Sequence, residues 1–317
     1  MMSSRMSENF EVTYCADPAR GATWKQIFRD ELPQTTFRIW PEAGTPESVE
    51  YLIAWTPPPG IAASFPNLKV LFSTGAGIDQ LDLGNIPDGV QVVRMIDPNL
   101  TSGMVEFATM GVLALHRDIP HYLADQRARL WAPRPVRRAA DHIVGIMGLG
   151  VLGRAVADAL KPFNFTLKGW SASPKSIDGM RTFAGIEELP AFLSDCDILV
   201  CLLPLTSETE SLLCDTTFKL LPRGARLLNL GRGRHLVEED LLLALESGQI
   251  DCAMLDVLRA EPPEAGHPLL GHPRVIVTPH IASTTHPVTA AQRVCALIKQ
   301  HRRGLPLEDA IDRRRGY

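Results

Sequence analysis

At 317 residues the chain exceeds what one compact core usually organises, so two domains are expected. Its 45% hydrophobic and 21% charged residues are those of an ordinary globular protein, and 32 Lys and Arg against 36 Asp and Glu leave a net charge of −4, which speaks against a nucleic-acid binder or a disordered tail. The six cysteines (Cys15, Cys196, Cys201, Cys214, Cys252, Cys295) form no C-x-x-C pair, so neither a disulfide framework nor a metal site is indicated, and several lie in apolar runs as small buried hydrophobes of a reducing compartment.

The N-terminal stretch MMSSRMSENFEVTYC holds no apolar segment long enough for a signal peptide, and no apolar run of about 18 residues occurs, so a cytoplasmic protein without a membrane span is expected. Short apolar runs then alternate with amphipathic ones, the pattern of βα units around a largely parallel sheet. FEVTYC, TFRIW, YLIAW, KVLFSTG and VQVVRM read as strands, with TWKQIFRDEL as a helix among them. The segment from Ser102 to Trp131 has helical apolar spacing and no proline before Pro120, and reads as one long linking helix. A second strand series follows: HIVGIMG, TLKGWS, DILVCLLP, ARLLNLG, CAMLDVL and RVIVTPHI. After it, TAAQRVCALIKQHRRG is helical and too short for a third domain, so it is expected to return to the first. The expected fold is α/β: two domains, each built on a largely parallel sheet. The expected boundaries are 1–103 with 285–317 for the discontinuous domain and 104–284 for the inserted one.

The strand HIVGIM leads into G-x-G-x-x-G and then a helix, the context a dinucleotide fingerprint needs. Gly148 allows the tight turn, Gly150 a close backbone approach to a pyrophosphate, and Gly153 the packing of helix on strand. Val151 and Leu152 open the helix, whose N–H groups would meet the phosphates. The competing reading is a glycine-rich turn with no ligand. The end of the next strand tests which cofactor binds, because an NAD site wants a carboxylate about 20 residues on for the ribose hydroxyls. Ser171 stands there, and Ser173 and Lys175 follow, a set suited to a 2′-phosphate. NADPH is therefore expected over NADH, against the alternative that these are solvated loop residues.

Three more residues fall at strand ends: Arg232 in LLNLGRGRH, Glu261 in MLDVLRAEPP and His280 in VIVTPHIA. An arginine fork grips a carboxylate, a histidine exchanges a proton near neutral pH, and a carboxylate favours that histidine's charged form. Reduction of a 2-oxo acid demands this combination: a hydride from the cofactor and a proton for the carbonyl oxygen. Each residue also has a plain structural reading, as an ion-pair partner, a loop acid or a strand-end histidine; their coincidence favours the chemical one. A dinucleotide sensor would keep the glycines but need no such set, and no cysteine here sits in a loop near a base, as an aldehyde dehydrogenase requires.

GLGVLG, LLNLGRG, AMLDVLRAEPP, HPLLGHPRVIVTPHIA and the closing IDRRRGY resemble the D-isomer-specific 2-hydroxyacid dehydrogenase family, and within it the branch of glyoxylate and hydroxypyruvate reductases. The likeness spans nearly the whole chain and is densest from about residue 141 to 285. It implies two doubly wound parallel-sheet domains, a flavodoxin-like substrate domain made from both chain ends and an inserted Rossmann-like cofactor domain, with an active-site cleft between them, and a homodimer built through the linking helix and the arm after it. By this resemblance Arg232 meets the substrate, His280 supplies the proton and Glu261 partners that histidine. Gly75, Ala76 and Gly77 would hold the substrate carboxylate and Trp55 would line the pocket. Asp256 would bond the nicotinamide carboxamide, and Leu203, Pro204 and Leu230 would line the cofactor. One departure stands out: the branch tends to place an arginine on the 2′-phosphate where this chain has Ala172, with Pro174 after it. Discrimination against NADH is expected to be weaker for that reason.

Overall fold

The computed structural model describes residues 9–313 other than 43, 58, 59, 61 and 62. The N-terminal residues 1–8, two prolines of the TPPPG stretch, and residues 314–317 of IDRRRGY lie outside the described residues. The chain divides into two compact units: Met1–Leu100 with Thr285–Tyr317, and Thr101–Thr284.

The first unit contains β1 (Phe10–Cys15), α1 (Pro18–Glu31), β2 (Thr35–Ile39), β3 (Val49–Ala54), β4 (Val70–Ser73) and β5 (Gln91–Val93). All pairs are parallel, in the order β2-β1-β3-β4-β5. Alternate residues serve two layers, as the two-residue period of a strand requires. Val12, Tyr14, Tyr51, Ile53 and Phe72 pack with Trp24 and Phe28 of α1 and with Val294 and Ile298 of the C-terminal helix Pro287–Arg302. Leu52, Ala54, Leu71 and Val92 pack on the other side with Phe65, Leu68 and Ile78. With both faces covered, the strands read as near-continuous apolar runs. α1 starts where Asp17 accepts the Ala19 N–H and Pro18 presets the first helical φ.

In the second unit the expected single linking helix is two: α2 (Pro98–His116) and α3 (Ile119–Arg127). The break has a physical cause. Pro120 cannot continue a helix and suits the first turn of a new one. Asp118 before it takes a left-handed backbone, φ +57°, and its carboxylate receives Arg226 Nη2 at 2.6 Å, while Arg226 also donates to the Leu115 carbonyl at the end of α2.

The unit continues with β6 (Ile143–Met147), α4 (Val151–Leu160), β7 (Thr166–Ser171), β8 (Arg181–Ala184), α5 (Leu189–Leu193), β9 (Ile198–Cys201), α6 (Asp215–Leu220), β10 (Ala225–Asn229), α7 (Glu238–Ser247), β11 (Ile250–Leu255), α8 (Pro268–Gly271) and β12 (Val275–Val277). The sheet is parallel throughout, in the order β12-β11-β10-β9-β6-β7-β8. β8, a four-residue edge strand with a polar start, has too little apolar pattern to be read from sequence. Val144, Ile146, Val200, Leu228 and Met254 face Ala108 and Val112 of α2 and Val156 and Leu160 of α4. Met147, Leu199, Leu227 and Leu255 face Phe192 of α5, Phe218 of α6 and Leu241 of α7.

From β6 the chain runs outward through β7 and β8, then returns to place β9 on the other side of β6. Strand order reverses there, and in open α/β sheets the carboxyl ends of the strands at such a point form the ligand crevice. Among the described residues no helix is long and apolar enough to cross a membrane. All six cysteines are free thiols.

Candidate active site

The glycine loop joins β6 to α4 at the reversal point. Gly148 has φ +103°, a backbone that a side chain would strain. A Cβ on Gly153 would lie 1.8 Å from the Gly148 carbonyl oxygen, so only glycine lets α4 pack this close to the loop. At Gly150, by contrast, a Cβ would meet nothing within 4 Å: the backbone there borders open space. Gly150 caps α4 without a side-chain bond, and the N–H groups of Val151, Leu152 and Gly153 belong to the first turn, which a helix leaves without internal partners. This arrangement fits a diphosphate lying over Gly150 against the positive end of the helix.

At the end of β7, Ser171 is buried and its hydroxyl donates to the Ser173 carbonyl at 2.8 Å, so this donor shapes the loop. Ser173 and Lys175 are exposed, as is Ala172 between the serines. Leu203 and Pro204 follow β9 and Leu230 follows β10; both leucines are buried, and the Pro204 carbonyl accepts Thr209 Oγ1 at 2.7 Å.

Arg232 stands three residues beyond β10, ahead of a short 3-10 turn, and its Nη1 donates to the Gly231 carbonyl at 2.9 Å. Glu261 lies in the loop after β11, where Oε1 accepts the Leu258 N–H at 3.0 Å. His280 follows β12 with φ +54°, a backbone uncommon for any residue with a Cβ. Two bonds hold it there: the His280 N–H reaches the Asp256 and Thr278 carbonyls at 2.8 and 3.0 Å. The Asp256 carboxylate, buried at the end of β11, fixes the rest of that loop. Oδ1 accepts Thr278 Oγ1 at 2.7 Å and the Ile281 N–H at 2.9 Å, and Oδ2 accepts the Ala282 N–H at 2.8 Å.

So held, His280 Nδ1 lies 2.7 Å from Glu261 Oε2, each side chain 37% exposed. The bond to Glu261 raises the histidine pKa most; burial opposes it, the Glu261 charge adds to it, Arg232 lowers it and Asp256 raises it, with a net rise. Burial alone would raise the Glu261 pKa, but the bond and charge of His280, the Leu258 N–H and Arg232 outweigh it, and the carboxyl is held below its ordinary value. Nδ1 is thus the ring nitrogen turned to the carboxylate, and Arg232 lies near enough for its charge to act on both partners. Sequence reasoning missed two buried side chains that hold Arg232's turn, Asn229 and His235. Their signal was local: each stands three residues from Arg232, the reach of side-chain bonds in turns and caps.

The first unit, taken by itself, places Trp55 just after β3 and Gly75, Ala76 and Gly77 just after β4. A Cβ on Gly75 would come 2.4 Å from Trp55 Cζ3, so this glycine lets the indole lie against the loop. Ser73 Oγ accepts the Gly75 N–H at 3.2 Å and donates to the Gly77 carbonyl at 3.1 Å, and Gln80 Nε2 donates to Ser73 Oγ at 3.1 Å.

Residues 109–282 match the family described as D-isomer specific 2-hydroxyacid dehydrogenase, NAD binding domain. Glyoxylate/hydroxypyruvate reductase A of Yersinia enterocolitica is 38% identical over 300 residues, covering 93% of this chain and 96% of that protein. Among solved structures, a D-isomer specific 2-hydroxyacid dehydrogenase from Xanthobacter autotrophicus Py2 in complex with NADPH and MES is similar with a TM-score of 0.92 and 39% identity, over 98% of this chain and all of that one. The NADPH-dependent glyoxylate/hydroxypyruvate reductase of Sinorhizobium meliloti in complex with NADP and sulfate is similar with a TM-score of 0.90 and 33% identity, over 98% and 100% of the two chains.

Proposed function

The chain belongs to the D-isomer specific 2-hydroxyacid dehydrogenase family, and from that premise we propose that it reduces small 2-oxo acids, glyoxylate to glycolate and hydroxypyruvate to D-glycerate, with NADPH in preference to NADH. The observation that carries this reading is the His280–Glu261 pair with Arg232 beside it, in the unit whose glycine loop fits a dinucleotide. Bound reduced nicotinamide supplies the hydride. The protein's part is to hold the acid and deliver a proton. Arg232 grips the 2-oxo acid through its guanidinium fork. His280, charged through Glu261, donates from Nε2 to the carbonyl oxygen as it becomes an alcohol, and the Glu261 carboxylate stabilises the ring until the proton leaves. We assign Gly148, Gly150, Val151, Leu152, Gly153, Leu203, Pro204, Leu230 and Asp256 to cofactor binding, and Ser171, Ser173 and Lys175 to the 2′-phosphate loop. Trp55, Gly75, Ala76 and Gly77 are assigned to substrate binding.

The same reading includes a cytoplasmic homodimer. Supporting it, the arm after α3 exposes Leu130 at 60%, Trp131 at 97% and Val136 at 71%, apolar area that a second copy would cover. Oxidation of NADPH or NADH, followed by its absorbance with glyoxylate, hydroxypyruvate, pyruvate and larger 2-oxo acids, tests the activity. Turnover of the smallest acids, faster with NADPH, is expected. Dinucleotide binding without turnover of any of them would replace this reading with a non-catalytic cofactor sensor.

A further inference from the structure

We infer that His235 is a positioning residue that aims Arg232 at the substrate, a role that rests on the reading of Arg232 as the carboxylate clamp. His235 ends the short 3-10 turn that follows Arg232, and it is fully buried. Its Nδ1 accepts the backbone N–H of Arg232 at 2.9 Å, so that nitrogen carries no proton. The ring proton therefore sits on Nε2, which faces the Pro204 carbonyl at 3.2 Å. One imidazole thus links the backbone under Arg232 to the segment after β9 assigned to the cofactor. This is one half of a capping box, the N3 side chain reaching back to the N-cap N–H, with histidine in the place usually taken by Glu or Gln.

The remaining polar atoms of the turn are fixed from the other side. The Arg232 carbonyl accepts the His235 N–H at 3.1 Å and Asn229 Nδ2 at 3.2 Å, and Asn229 Oδ1 accepts the Gly231 N–H at 3.2 Å. A Cβ on Gly231 would lie 2.8 Å from His235 Nδ1, so the ring packs directly on the glycine that Arg232's own guanidinium bonds. The contrast with His142 of the same unit is informative. His142 is also buried, yet neither of its ring nitrogens has a hydrogen-bond partner among the described residues, as expected of a ring that only fills space. His235 engages both nitrogens: besides a 3.8 Å contact of Nδ1 with the Cys201 thiol, Nδ1 meets the Arg232 N–H and Nε2 the Pro204 carbonyl, two segments assigned to ligands. A phenylalanine would fill its space but leave the Arg232 N–H and the Nε2 bond to Pro204 unmade, and the arginine would lose its fixed origin.

Three variants test this: His235→Phe, His235→Asn and His235→Gln. The readouts are the Kd of oxamate, a non-reducible 2-oxo acid analogue, for the NADP-loaded protein; the Kd of NADPH by nicotinamide fluorescence; and KM and kcat with glyoxylate. In H235F the oxamate Kd and the glyoxylate KM should rise about tenfold, while kcat and the NADPH Kd change less than about threefold. H235N, whose carboxamide oxygen sits where it can accept the Arg232 N–H, should recover most of that loss. H235Q, whose amide lies where Nε2 stood, should recover less. If H235F does not fold, the order of H235N over H235Q in oxamate affinity decides. A folded H235F with oxamate Kd and KM within about twofold of wild type, or H235N no better than H235Q, overturns the inference. A wild-type protein that neither binds oxamate nor reduces any 2-oxo acid overturns the proposed function and this inference with it; an active wild type indifferent to His235 overturns this inference alone.

Discussion

Replacing Glu261 by Gln should move the alkaline limb of the reductase's pH profile to lower pH. Glu261 uses one oxygen on the Leu258 N–H and the other on His280 Nδ1, at 3.0 and 2.7 Å. A carboxamide has a single acceptor oxygen. If that oxygen stays with Leu258, the NH2 group faces Nδ1 and opposes the doubly protonated ring; if it turns to His280, the NH2 group faces the Leu258 N–H. Either way one bond is lost, and a hydrogen bond to a charged group is worth about 1.5–3 kcal/mol. Because both side chains are 37% exposed, solvent screening argues for the lower end, about 1–2 kcal/mol, or roughly fivefold to thirtyfold in rate. The sign follows from the raised pKa of His280. The proton-donating form prevails below the folded-state value and is lost as pH rises through it, so removing the raising partner moves that limb to lower pH. The wild-type to variant ratio of kcat/KM for glyoxylate with NADPH should therefore rise from acid to alkaline pH, from near one where His280 is protonated in both proteins to about tenfold where the variant has lost the proton first. A ratio constant across that range would refute the coupling between Glu261 and His280.

Other outcomes follow from separate parts of the second unit. Gly153→Ala places a methyl 1.8 Å from the Gly148 carbonyl, so the NADPH Kd should rise more than about tenfold and Tm should fall by several degrees; a Kd unchanged by titration would show that the loop does not hold the cofactor. Ala172→Arg returns a guanidinium to the loop after β7 and should raise the NADP over NAD binding ratio by about tenfold; an unchanged ratio of the two Kd values would remove this position from the 2′-phosphate subsite. Burial lowers the His142 pKa most, with Arg137, His116 and Arg226 adding and Asp197 opposing, and burial with Arg226, Arg117 and Arg137 lowers that of neighbouring His116 against Asp118. The unfolded chain therefore takes up protons that the folded one resists, and stability should decline as pH falls below the ordinary histidine value. His142→Phe, which removes two unpartnered nitrogens from a position only 2% exposed, should raise Tm by a few degrees and flatten that decline. An acid slope identical to wild type by thermal melts would count against it.

Local chemistry made much of this protein legible in its sequence. Buried strands of a parallel sheet are apolar on both faces, so β6, β7, β9, β10, β11 and β12 appear as short hydrophobic runs in order, and G-x-G-x-x-G names its own turn because only glycine satisfies Gly148 and Gly153. The family likewise shows in contiguous motifs, which carry Arg232, Glu261 and His280 at strand ends. Where patterns are short or depend on distant partners, sequence reading fell short. β8 is an edge strand of four residues, and at the break between α2 and α3, which Pro120 marks, the Arg226 that bonds Leu115 and Asp118 comes from more than a hundred residues further along.

What the chain determines by itself is therefore the order of its elements, the family and the chemical types gathered at the sheet's carboxyl edge, since each is set by neighbours within a few residues. Tertiary structure alone decides that Glu261 meets His280 at 2.7 Å, that the Asp256 carboxylate holds the loop bearing that histidine, and that His235 lies under Arg232 with its ring against Pro204. Those are bonds between segments far apart in sequence or buried in one turn, and their strength comes from an arrangement that exists only once the sheet has brought the strand ends side by side.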